Sequence, residues 1–110
     1  MSGFELTNEL QDNVNYLNLA LKELKKRGRT KAETEHDYKV KQAQKIYVLR
    51  EEGQPVTIIS DLVKGSPEIA ELRKQRDLAK SLYESCLQAI YSYKIKIGIV
   101  ERQIQREYNG

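Results

Sequence analysis

Apolar residues recur along the second half of the chain at steps that alternate between three and four residues. This alternation is typical of one helix that packs along its length against another. Ser66 suits an N-cap, and Pro67 suits the first position of the helix that follows. The pattern therefore predicts a long helix over 66–108. The residues of its contact stripe are Ile69, Leu72, Arg76, Ala79, Tyr83, Cys86, Ile90, Tyr93, Ile97, Val100 and Ile104.

The first half of the chain supplies a packing partner of matching length. A similar stripe consists of Leu10, Val14, Leu17, Leu21 and Leu24, and helical periodicity returns at Val40, Ala43, Ile46, Tyr47 and Leu49. Isolated helices are marginal in water, because most helical stability in proteins comes from packing against a partner. We therefore predict an all-α fold, a long antiparallel helical hairpin that occupies the single domain 1–110. Its first arm covers about 7–52, its connector 53–65 and its second arm 66–108.

Two local features leave alternatives open. Gly28 weakens a helix, and Thr30 with Glu33 has the spacing of a capping box, so two helices in the first arm would give a three-helix bundle. In the connector, Gly53 suits a helix C-terminus and Pro55 a new start. The connector is expected to form a short helix over the end of the hairpin core, with Val56, Ile59, Leu62 and Val63 on one face. A strand is the alternative, because this run has high β propensity.

The apolar surface of the second arm is wider than one partner helix covers. Leu78 and Leu82 flank the contact stripe on one side, and further apolar residues follow at a spacing of four on the other. Exposed surfaces of this kind mark interfaces. We therefore predict a homodimer, with a candidate oligomer or partner surface of Leu78, Leu82, Leu87, Tyr91, Ile95 and Ile99.

Composition narrows the class of protein. Two prolines and six glycines among 110 residues are few for a β-sandwich or a disordered linker. No segment has the apolar run of a signal peptide or a membrane span, and a single cysteine, Cys86, forms no disulfide within the chain. These features predict a cytoplasmic protein without a membrane partner. Cys86 lies in the contact stripe and is interpreted as core filler rather than as a redox sensor.

Residues for catalysis are scarce. His36 is the only histidine, and its carboxylate neighbours Glu33 and Asp37 have a spacing that is common on solvated helix faces. The sequence contains no phosphate-binding glycine loop, paired cysteine motif or zinc-protease motif. We therefore expect no enzymatic activity, no catalytic residue, no metal site and no cofactor.

A run of basic residues is the strongest charge feature, although the net charge is only +3. In an antiparallel hairpin this run faces the part of the second arm that contains tyrosines and lysines. Clustered cations attract phosphates, and nucleobases stack on aromatic rings. The alternative interpretation is a solvated helix face with the tyrosines in the core. The candidate nucleic-acid patch consists of Lys22, Lys25, Lys26, Arg27, Arg29, Lys31, Tyr91, Lys94 and Lys96.

Arg76 and Asp77 interrupt the apolar stripe of the second arm. A polar residue at such a position often sets the register of helix pairing or the oligomeric state. We expect Arg76 to pair across the hairpin with Glu35 or Asp37.

From about Lys45 onward the chain resembles a group of small helical proteins of bacteriophages and prophages of Gram-positive bacteria. The resemblance is carried by Leu49, Arg50 and Gly53, by the segment 55–62, and by the helix 76–104. It implies an early-region phage protein encoded near recombination genes, active in the host cytoplasm and without known enzymatic activity.

Three functional hypotheses follow. The first is a non-enzymatic interaction protein that dimerises and binds a host or phage protein of DNA metabolism or defence. The second is direct binding of nucleic acid through the basic patch. The third is a structural coiled coil or scaffolding protein.

Overall fold

The computed structural model describes residues 2–109, so the ends of the expected 1–110 domain lie outside it. Three α-helices follow one another in this range: α1 (Gly3–Glu51), α2 (Val56–Gly65) and α3 (Pro67–Asn109). No strand occurs among the described residues. The prediction of an all-α helical hairpin with a short connector helix is confirmed, and α1 is a single helix that continues through Gly28.

The first turn of α1 carries a capping box that the sequence analysis missed. The Ser2 hydroxyl accepts a hydrogen bond from the Glu5 backbone N–H, and a Glu5 carboxylate oxygen accepts one from the Ser2 N–H. Ser2 and Glu5 have the spacing that defines this motif, which satisfies two backbone donors at once. The signal lay in the sequence, but the apolar periodicity that defined the arm starts only at Leu10.

The end of α1 confirms the expected role of Gly53. Its φ angle is +81°, a left-handed conformation that suits glycine. The Gly53 N–H donates to the Arg50 carbonyl, and the Gln54 N–H donates to the Leu49 carbonyl. These two hydrogen bonds form a Schellman motif, which ends the helix and satisfies its last carbonyl groups.

The described residues form two compact units: a terminal unit, residues 2–26 and 83–109, and a connector unit, Arg27–Leu82. In the connector unit, α1 and α3 are antiparallel and α2 packs against both. Its core contains Tyr38 and Leu49 from α1, Ile59 and Val63 from α2, and Ile69 from α3. The short helix therefore covers the hairpin core as predicted, but Val56 and Leu62 are exposed instead of sharing its buried face.

In the terminal unit α1 and α3 also pair antiparallel. The buried residues of its α3 segment are Cys86, Ile90 and Val100, all of them in the predicted contact stripe. On α1, however, Asn13 is buried, Ala20 is half-buried and Leu21 is exposed. The predicted choice of Leu21 was therefore wrong. Residues 20 and 21 both fall at helical spacing from Leu17 and Leu24, and apolarity alone favoured the larger side chain.

Candidate interaction surface

The expected surface on α3 divides between the two units. Leu78 and Leu82 belong to the connector unit, and both are exposed. The remaining members belong to the terminal unit. Leu87 is half-buried there, whereas Tyr91, Ile95 and Ile99 are 57%, 63% and 43% exposed. Three large apolar side chains at a spacing of four thus remain open to solvent on one helix.

The pairing within the terminal unit explains why this row stays exposed. The α3 stripe through Cys86, Ile90 and Val100 faces α1, and the Cys86 thiol donates to the Ala20 carbonyl oxygen, with Sγ and O 3.3 Å apart. A single partner helix covers one side of α3. The row centred on Ile95 lies on another side of α3. Ile95 is five residues after Ile90, and five residues rotate the helix by one full turn plus about 140°. Cys86 is buried core filler, as predicted.

A second feature of the terminal unit is a cluster of two tyrosines and a lysine. The rings of Tyr16 and Tyr93 have centroids 5.8 Å apart at an interplanar angle of 32°. The Lys96 ammonium group lies 5.6 Å from the centroid of the Tyr93 ring. Tyr16 was missed by the sequence analysis, because it falls outside the apolar stripe of the first arm. The cluster places one cation beside an aromatic ring, which is the chemistry proposed for the basic patch.

The residues of that patch lie in different environments. In the terminal unit Lys22, Lys25, Lys26, Lys94 and Lys96 are all exposed. In the connector unit Arg29 is exposed, while Arg27 and Lys31 are half-buried. The Arg27 guanidinium donates to the Leu82 carbonyl oxygen at 2.9 Å, so it takes part in holding α1 to α3. The exposed lysines of the terminal unit are therefore the better candidates for contact with phosphate.

In the connector unit, Arg76 pairs with Glu35 across the helices, as predicted. Its Nε lies 3.8 Å from a Glu35 carboxylate oxygen, and its guanidinium stacks 4.3 Å from the centre of the Tyr38 ring. Its Nε and Nη2 also donate to the adjacent Asp77 carboxylate at 3.1 and 3.0 Å. The hydrogen bond to Asp77 raises the pKa of Arg76 above its ordinary value. The charge that interrupts the apolar stripe is therefore paired within the unit.

The connector unit also has an open cleft of about 360 Å³ between α1 and α3. Val40 and Leu72 are its apolar residues, and its rim holds the ion pair of Lys41 with Glu68, whose charged atoms are 3.7 Å apart. The lone histidine, His36, lies at this rim and contacts Asp37 at 3.4 Å. Residues 2–109 contain no group of three histidine, cysteine or carboxylate side chains placed to hold a metal ion. No helix in this range is long and apolar enough to cross a membrane.

Comparison with known proteins returns no relative. Neither a protein family, nor a curated protein, nor a solved structure matches the chain.

Proposed function

We propose that the chain is a non-enzymatic interaction protein, which forms a homodimer and binds a host or phage protein of DNA metabolism or defence. The observation that carries the proposal is the exposed row of Tyr91, Ile95 and Ile99 on α3. Single exposed apolar residues are normal on protein surfaces, but adjacent ones in one patch are typical of interfaces. Tyrosine is also enriched in the contact regions of interfaces.

The cellular setting in this proposal comes from the resemblance of the segment after Lys45 to early-region phage proteins. The residues that carry the resemblance support the cellular setting, and the row on α3 supports the interaction. The two parts of the proposal are therefore tested separately.

Sedimentation equilibrium over a wide range of protein concentration tests the interaction. We expect the wild-type protein to be dimeric at high concentration and Ile95→Glu to be monomeric. Ser85→Glu is the matched control, since it adds the same charge at an exposed position of α3 that lies outside the row. A wild-type protein that stays monomeric at every concentration would contradict self-association.

Affinity capture from lysate of a Gram-positive host tests the setting. The wild-type chain is compared with Ile95→Glu and Ser85→Glu, and captured proteins are identified by mass spectrometry. We expect proteins of replication, recombination or nuclease defence to be retained specifically. If specific partners belong to other processes, the DNA-metabolism part of the proposal is wrong.

Direct binding of nucleic acid is the second candidate. It is favoured by the exposed Lys22, Lys25, Lys94 and Lys96 in the same unit as the exposed ring of Tyr91. Fluorescence anisotropy with single- and double-stranded DNA at low and high salt tests it. Lys22→Glu with Lys25→Glu should abolish binding, whereas the same charge change at exposed Lys74 and Lys80 of the connector unit should have a smaller effect. Equal effects of the two double variants would indicate attraction to net charge alone.

A further inference from the structure

We propose that the row on α3 is covered by α3 of a second copy, packed antiparallel with a two-fold axis level with residue 93. This inference rests on the proposed function and adds the identity of the partner, the direction of packing and its register. The surface concerned, called the α3 face below, comprises Glu84, Leu87, Tyr91, Ile95, Ile99 and Arg102.

The first argument is the spacing of these residues. From Glu84 to Arg102 the steps are three, four, four, four and three, so the sequence of steps reads the same in both directions. Residues at such steps follow one side of a helix. A two-fold axis level with residue 93 places Glu84 opposite Arg102 of the partner subunit, Leu87 opposite the partner's Ile99, and Tyr91 opposite the partner's Ile95. Apolar side chains then meet apolar side chains between the two charged ends of the face.

The second argument is charge complementarity. The α3 face has an acid at one end and a base at the other, and both Glu84 and Arg102 are exposed. Antiparallel packing of two copies brings opposite charges together at both ends of the contact. Parallel packing would instead place each of these residues near the same residue of the second copy. Contacts between like charges are destabilising. Complementarity of this kind is expected for contact with the same face of another copy.

The third argument is Gly98, which lies beside Ile95 and Ile99 in the interior of α3. A Cβ atom added at Gly98 would meet only the Arg102 Nη1 atom, at an ordinary contact distance of 3.7 Å. Packing within the chain therefore does not require glycine there, although glycine in a helix interior is destabilising relative to alanine. In the proposed dimer Gly98 lies opposite the partner's Gln88, and the missing side chain permits close approach. Rows at a spacing of four are also the ridges that interdigitate in the commonest class of helix packing.

A charge-swap experiment tests the register. The variants Glu84→Arg, Arg102→Glu and the double variant are compared with the wild type by sedimentation equilibrium at low and high salt, with circular dichroism as the check on helix content. Residues 84 and 102 are 18 positions apart on one helix, a separation of about 27 Å. They therefore cannot pair within one chain, and any rescue in the double variant has to arise between chains.

We expect each single variant to weaken the dimer roughly tenfold at low salt, since two symmetric contacts become repulsive, and less at high salt. The double variant should return to within about threefold of the wild-type affinity, because both contacts are restored with reversed sign. If the wild type dimerises and the double variant is no tighter than the single ones, the proposed register is overturned while self-association stands. A monomeric wild-type protein overturns both.

Discussion

The two units of the molecule are built from the same two long helices, yet they cover their apolar surface differently. In the connector unit, α2 packs on the helix pair and adds Ile59 and Val63 to the core. In the terminal unit only α1 and α3 meet, and α3 keeps Tyr91 and Ile95 exposed. The comparison shows what a short third helix contributes: it joins the two long helices in one core of residues from all three helices, although Leu78 and Leu82 of the same unit stay exposed.

The polar contacts that join α1 to α3 also differ between the two units. In the connector unit Arg76 is held by Glu35, Asp77 and the Tyr38 ring. In the terminal unit the polar contacts of α3 with α1 include the Cys86 thiol and the tilted ring pair of Tyr16 with Tyr93. The two helices are therefore held together by a paired charge in the connector unit, and by a thiol and two aromatic rings in the terminal unit.

The largest expected effect is a loss of unfolding free energy when a core isoleucine is replaced, compared with the same replacement of a surface isoleucine. Ile69 is 2% exposed in the connector unit, and Ile69→Ala should lower the free energy of unfolding by about 2–5 kcal/mol. Ile95→Ala should change it by less than about 0.5 kcal/mol in the monomer, because Ile95 is exposed. Urea unfolding followed by circular dichroism, at a concentration where the protein is monomeric, measures both. Equal losses would contradict the assignment of Ile95 to a surface.

A smaller effect on the free energy of unfolding is expected from replacing Arg76 in the connector unit. Arg76→Ala should lower the free energy of unfolding by roughly 1–2 kcal/mol, since it removes the stacking on Tyr38 and the pairing with Glu35. Because the pKa of Arg76 is raised, its stabilisation is complete below the unfolded-state pKa and is lost only as the pH rises through the still higher folded-state pKa. The loss in Arg76→Ala should therefore persist at neutral and mildly alkaline pH. Lys80→Ala, at an exposed position of the same unit, is the control, and an equally small effect of both would contradict this role.

A pair of glycine substitutions should act in opposite directions. Gly53→Ala should destabilise the fold by about 1 kcal/mol, because the φ angle of +81° is strained for alanine. Gly98→Ala should stabilise the monomer by about 0.5–1 kcal/mol, because helical geometry suits alanine and the added Cβ meets the Arg102 Nη1 atom only at an ordinary contact distance of 3.7 Å. Thermal unfolding of the two variants beside the wild type measures the difference. A destabilised Gly98→Ala monomer would show that the chain itself requires this glycine.

The helices were predictable from the sequence because their signals are local. Alternating apolar spacing located α3, and the Gly53–Pro55 and Ser66–Pro67 pairs located the boundaries of α2 and the start of α3. Choices between neighbouring positions were less predictable. Ala20 turns inward where Leu21 was expected, and Val56 points outward, because each depends on which helix face meets a partner.

The candidate surface was predictable only in part, because the sequence indicates which side chains are exposed but not which partners they contact. Exposure of Tyr91, Ile95 and Ile99 follows from counting how many sides one partner helix covers. The engagement of Arg27 with the Leu82 carbonyl does not follow from charge, and it separates a structural cation from its exposed lysine neighbours. The contact of the Tyr16 ring with Tyr93 does not follow from the apolar spacing of the first arm either.

The most direct test of the proposed α3 contact is a distance measurement between spin labels on two copies, in a background where Cys86 is replaced by alanine. One label is placed at Ser92, which is exposed and is not a member of the α3 face, and in a second sample at Gln105. Antiparallel packing about residue 93 predicts axial offsets of about 3 Å for residue 92 and about 36 Å for residue 105. Double electron–electron resonance should therefore give a short distance for the first sample and a much longer one for the second. Equal short distances in both samples, or no intermolecular distance in either, would contradict the account.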